Sequence, residues 1–222
     1  MTHFWKKFLD NISLFHTKNI ENQENTNIAL PQFHNEKIVD FTKPDYLLKR
    51  YYLELEQKII LSVHFSDSDL KNESEIIAFL PDIIRKQPDC MYLIIGMLSE
   101  ESKNFLTKVA KEYFVFERLF FIENFEENTL QDHFLLADLF FATNNDFEIC
   151  KILTFQAKTC GLPVICEKKF LSNFTSQKAI FDIDFANKEK NVNIITKILG
   201  TNFYFSYEFR KEITKTQENI IF

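Results

Sequence analysis

Glycine is scarce in this chain, with 3 residues in 222. Positions that need a positive φ, or a backbone brought close to a phosphate, therefore have few residues suited to them. Phosphate loops built on several glycines are excluded in their ordinary form. The four cysteines (Cys90, Cys150, Cys160 and Cys166) contain no C-x-x-C pair, so a zinc ribbon or dithiol motif is excluded. They read as reduced core thiols of a cytoplasmic protein. The histidines are scattered without ligand spacing, and no metal site is expected. No apolar run approaches the ~20 residues of a membrane span. Lys6, Lys7, Asp10 and Asn11 interrupt any signal-peptide core at the N-terminus. Positive charge is also in deficit. The net charge is −6 and no basic patch runs beside aromatics, which argues against a nucleic-acid partner.

What is abundant is apolar and aromatic. Hydrophobic residues make up 45% of the chain, including 26 Phe. That suffices for the core of one α/β domain with extensions, not for two full domains.

Residues 1–19, MTHFWKKFLDNISLFHTKN, form a segment of their own. At helical spacing Phe4, Trp5, Phe8, Leu9, Ile12 and Phe15 fall within an arc of about 140°. Three Lys and one Asp leave the segment at +2. Such a helix is expected to pack on its own domain, to dock on a partner, or to lie at a membrane surface, here the inner membrane face. Residues 20–30 are polar and Asn/Glu-rich, as in a linker. Residues 43–57 suggest a short helix with Leu47, Leu48 and Tyr51 on one face, which closes a linker region 20–57.

From Lys58 a regular alternation begins. Short apolar runs at 58–64, 90–96, 118–123, 137–143, 162–167 and 179–184 read as strands. Helical patterns lie between them at 73–89, 100–114, 127–136 and 149–160, with two more at 188–199 and 204–218. Pro81 sits inside the first of these and is expected to kink it. Continuously apolar strands separated by helices indicate a parallel sheet covered on both faces. With right-handed crossovers this gives an α/β, Rossmann-like, doubly wound sheet of about six strands. The expectation is a single domain over 58–200, with an N-terminal amphipathic helix and a C-terminal helix within 201–222.

The segment LLADLFFATNNDFEICKILTFQAKTCGLPVICE, residues 135–167, is the most specific part of the chain. Together with the linker-like residues 28–63 and the run 76–96, it resembles the C-terminal, donor-binding domain of GT-B fold glycosyltransferases. These are the retaining group 1 enzymes that use a nucleotide sugar. The likeness runs from about Ile28 to Gln217. It implies two acidic residues eight apart at the start of a helix, one reading sugar hydroxyls and one reading ribose hydroxyls. It also implies glycines that admit phosphate, and a basic pair after the first strand that neutralises the diphosphate without a metal.

Against that pattern, Glu148 takes the first acidic position and Gln156 the second, as a neutral and weaker acceptor. Ile149 and Lys151 replace the glycines between them. After the first strand, His64 and Phe65 stand for a Gly-Arg pair and Leu70 for the Lys, with Lys71 one position away. Asp67 and Asp69 add negative charge to that loop. The turn after the second strand keeps Gly96. Candidate donor contacts are thus Glu148, Gln156, Lys71, Lys151 and Gly96, with no catalytic residue and no cofactor beyond a nucleotide sugar as ligand. Losing two charge-assisted phosphate contacts costs about 1.5–3 kcal/mol each, roughly a hundredfold or more in affinity.

The likeness further implies an acceptor domain, and about 57 residues before the first strand cannot build one. The expected role is a non-catalytic interaction module (a pseudoenzyme) whose partner is an acceptor-type domain or a second copy. The alternative is the donor-binding subunit of a split glycosyltransferase. A weaker one is an unrelated nucleotide-binding α/β domain.

Overall fold

The computed structural model describes residues 42–64, 70–96, 98–123, 129–143, 147–171 and 179–200, all within one compact unit. The expected helices within 1–19 and 204–218 lie outside the described residues, as do Phe65, Asp67 and Asp69.

The described chain runs α1 (Asp45–Arg50), β1 (Lys58–His64), α2 (Lys71–Lys86), β2 (Cys90–Gly96) and α3 (Glu100–Glu112). A 3-10 turn (Phe116–Arg118) leads into β3 (Leu119–Ile122), α4 (Leu130–Leu136), β4 (Leu139–Ala142) and α5 (Phe147–Thr159). Then come β5 (Val164–Glu167), α6 (Lys168–Leu171), β6 (Ile180–Ile183) and α7 (Lys188–Leu199). The six strands form one sheet in the order β3-β2-β1-β4-β5-β6, and every neighbouring pair is parallel. This is the doubly wound arrangement, with its reversal of direction between β1 and β4.

All seven residues of β2 are buried, as are six of the seven in β1, because helices cover both faces. On one face Ile60, Tyr92, Ile94, Leu139 and Phe141 meet Ile76, Ile77 and Leu80 of α2, Leu106 and Ala110 of α3, and Val192, Ile195 and Leu199 of α7. Each such Ile or Leu contributes about 1.5–3 kcal/mol by leaving water. Strand alternation sends Phe140 to the other face, where its ring meets Phe134 of α4 edge-on at 5.2 Å.

Several elements are displaced slightly from the sequence expectation. The helix expected at 73–89 begins at Lys71 and continues through Pro81 as one helix to Lys86. The strand expected at 137–143 starts at Leu139, because Asp138 has another task. Its Oδ2 accepts from the Ile59 N–H at 2.9 Å and pairs with the buried Lys43 ammonium at 2.7 Å. Lys43 also donates to the Gln57 carbonyl at 2.6 Å. The chain entering α1 is thus tied to the amino end of the sheet. The short helix α6 has no counterpart in the sequence reading.

The shortage of glycine shows in the helix ends. The caps after α1, α3 and α5 share one hydrogen-bond pattern: Tyr52 and Leu53 donate to Lys49 and Leu48, Phe114 and Val115 to Lys111 and Ala110, and Gly161 and Leu162 to Lys158 and Ala157. This is the Schellman motif, whose penultimate residue must turn left-handed. Gly161 does so at φ 68°, but Tyr52 and Phe114 are forced there at 53° and 58°. Glycine thus ends α5, and two aromatic residues do elsewhere what glycine does there. No described helix is long and apolar enough to cross a membrane.

Candidate functional site

In a doubly wound sheet ligands enter at the carboxyl ends of the strands, where the strand order reverses. Here that place is bounded by His64 at the end of β1, Gly96 at the end of β2, Thr143 after β4 and Glu167 at the end of β5. The N-termini of α2 and α5 open onto it.

The chain's own side chains lace these ends together. His64 is 2% exposed and Glu73, in the first turn of α2, is 0% exposed. His64 Nε2 lies 2.6 Å from Glu73 Oε1 and 3.2 Å from Thr143 Oγ1. The first is an ion-pair distance without hydrogen-bond alignment, so among the described residues neither Glu73 oxygen accepts a hydrogen bond. Beside it, Asn72 Nδ2 donates to Glu167 Oε1 at 2.8 Å and to the Thr143 carbonyl at 3.4 Å. Glu167 Oε2 in turn holds Lys169 at 2.9 Å. Three strand ends and the start of α2 are bound into one polar network.

Beneath it the Tyr92 hydroxyl donates to Ser62 Oγ at 3.1 Å. Burial, and then the Glu73 charge, push the Tyr92 phenol well above its usual range. It stays neutral and donates. The network thus holds a buried carboxylate in the first turn of α2, where the helix dipole favours negative charge.

The residues read from sequence as donor contacts lie on three elements. Gly96 takes φ 143°, and a β-carbon there would lie 1.9 Å from the His64 carbonyl oxygen. The close approach that requires glycine is to this chain's own backbone. Lys71, expected in the loop, is the exposed first residue of α2. Glu148 and Lys151 share the first turn of α5, the former half-buried and the latter exposed. Phe147 beside them stacks on Phe170 of α6 at 6.0 Å. Gln156 is eight residues further along α5, about 12 Å up the axis and rotated by about 80°. It is half-buried, and its Oε1 is buried without a hydrogen-bond partner among the described residues.

The sequence reading missed the His64–Glu73 pair and the Asn72–Glu167 bond. A signal was available for one of them. Glu73 stands three, four and seven residues before Ile76, Ile77 and Leu80, so it lies on the apolar stripe of α2. A charged residue in that phase needs a buried partner. Nothing in the sequence marks Asn72 as a bridge to β5.

This fold and the segment from β4 to β5 point to one class, the C-terminal-type domain of GT-B fold glycosyltransferases. The sequence pattern of the family described as glycosyl transferases group 1 matches residues 48–201, and the chain belongs to that family. No curated protein sequence matches it.

Among solved structures it is similar to the C-terminal domain of a group 1 family glycosyl transferase (LpcC) from Francisella tularensis, with TM-score 0.57 and 14% identity over 72% of this chain and 84% of that one. It is also similar to WaaG, a glycosyltransferase involved in lipopolysaccharide biosynthesis, with TM-score 0.60 and 16% identity over 81% of this chain and 47% of that one. A glycosyltransferase from Rickettsia africae matches with TM-score 0.59 and 13% identity, over 78% and 46% of the two chains. At such identities the likeness is one of fold. The chain spans less than half the length of the last two.

Proposed function

We propose that this chain is a donor-type glycosyltransferase domain that works as a non-catalytic interaction module. The observation that carries the reading is the buried His64–Glu73 pair with its links to Thr143. In the family pattern the residue after the first strand is glycine and a basic pair follows it, so that a diphosphate can approach. Here an imidazole fills that position and a carboxylate is buried against it. An incoming diphosphate would meet a fixed negative charge in a low-dielectric site, where repulsion is least screened. The module would meet an acceptor-type domain or a second copy, and residues 1–19 would supply a contact to a partner or to the cytoplasmic face of a membrane.

A second reading, the donor-binding half of a split glycosyltransferase, is favoured by Gln156. Its buried Oε1 has no described partner and sits on the helix where the family reads ribose hydroxyls. Exposed Lys71 and Lys151 would then take the phosphates.

Calorimetric titration with nucleoside diphosphates and nucleotide sugars separates the two. The module reading expects no heat at millimolar ligand. Micromolar binding abolished by Glu148→Ala would overturn it in favour of the second. Liposome flotation of the full chain and of a variant lacking residues 1–19 tests the membrane contact, which unchanged flotation would exclude.

A further inference from the structure

A buried imidazole joins α1 to α4. His133, in the middle of α4, is 1% exposed. Its Nδ1 lies 2.6 Å from the Thr129 carbonyl oxygen. A carbonyl only accepts, so Nδ1 carries a proton. Its Nε2 lies 2.8 Å from the Tyr51 hydroxyl, which closes α1. In the neutral ring Nε2 is an acceptor, and Tyr51 donates to it. Burial raises the Tyr51 phenol above its usual range, so that hydroxyl keeps its proton. The neutral ring, in this one tautomer, satisfies both helices.

A second proton would undo the fit. Nε2–H would force the Tyr51 hydroxyl to turn from donor to acceptor, and a cation would be buried in the seam. From α1 the site is faced by Arg50, whose guanidinium lies 5.7 Å from the Tyr51 ring centre, and by Tyr46. From α4 it is faced by Asp132, whose carboxylate already accepts the Tyr46 hydroxyl. Arg50 opposes a charged imidazole and Asp132 favours it.

We propose that His133 is a proton-operated latch, in which protonation of the buried ring releases α1 from α4 while the sheet stays folded. Burial holds the imidazole below its ordinary range, against the Thr129 carbonyl and the Asp132 charge, which pull upward. The sign follows. A folded value below the unfolded one means that the unfolded or undocked form binds more protons. The latch is fully closed above the unfolded value of about 6.5. It weakens as pH falls from there through the folded value.

The test is amide hydrogen exchange of the full chain at about pH 8 and about pH 5.5, corrected for intrinsic rates. Amides of α1 and of Tyr51 to Leu53 are expected to lose protection by up to roughly tenfold on acidification, while β1 and β2 keep theirs. In His133→Gln, which keeps a donor and an acceptor but does not titrate in this range, that difference should vanish. Tyr51→Phe retains the imidazole and should give weakened protection of α1 already at about pH 8, with a smaller further loss on acidification. It guards against a His133 variant that fails to fold. Protection of α1 that is independent of pH overturns the proposal. So does parallel loss in β1 and β2, an unchanged acid response in His133→Gln, or a Tyr51→Phe profile identical to the parent.

Discussion

The His64 carbonyl oxygen occupies the space in which a β-carbon on Gly96 would sit, 1.9 Å from it. The two residues pair across β1 and β2, so neither backbone can retreat without breaking the ladder. Gly96→Ala combines this clash with a φ of 143°. It should cost at least about 3 kcal/mol. Urea unfolding of the two proteins measures it, and a loss under about 1 kcal/mol would show that the ladder yields more than argued.

The His64–Glu73 pair is expected to be costly to break and cheap to replace. His64→Ala or Glu73→Ala alone leaves a buried group without its partner and should cost about 3–5 kcal/mol. The double variant His64→Leu, Glu73→Leu should recover most of that loss, since apolar residues of similar volume replace a buried polar pair at little cost. A double-mutant cycle of the two alanine variants and their combination, by chemical denaturation, reads the coupling. Additive losses would mean that the two side chains do not act as a pair.

Phe114 closes α3 in the left-handed region, is 95% exposed, and uses the hydrogen-bond pattern that Gly161 uses after α5. A side chain in that region costs about 1–2 kcal/mol. Part is returned because glycine stiffens the unfolded chain less. Phe114→Gly should therefore stabilise by up to about 1 kcal/mol, or about 2–4 °C in Tm. Calorimetry checks the direction, and a lowered Tm would mean that the ring contributes packing its exposure does not suggest.

The fold was largely legible in the sequence because its signal is redundant. Runs such as Lys58–His64 and Cys90–Gly96 are apolar throughout, and only a strand covered on both faces accommodates them. Boundaries were less legible where a single side chain decides them. Asp138 looks like part of the apolar run from Ala137, yet its bonds to Ile59 and Lys43 delay β4 to Leu139, two residues later. The candidate site was legible only as departures from a pattern. His64 could be seen to replace a glycine, but its partner sits nine residues on, in a helix whose rotation decides whether Glu73 meets water or the sheet. Gly96 was visible as a retained glycine. Its reason, the His64 carbonyl, lies 32 residues away in sequence and adjacent only through the ladder register.

The ladders of the sheet are unequal. β1 pairs with β2 over seven residues but with β4 over two, Ile60 with Leu139 and Leu61 with Phe140. The three strands on one side and the three on the other thus meet along a seam, joined by partners 79 residues apart in the chain. Closing so long a loop is slow and entropically costly, so each half should assemble before the two are sutured. The side-chain lacing from His64 and Asn72 to Thr143 and Glu167 crosses that same seam at its open end. These polar residues would then serve as rivets between the two halves of the sheet.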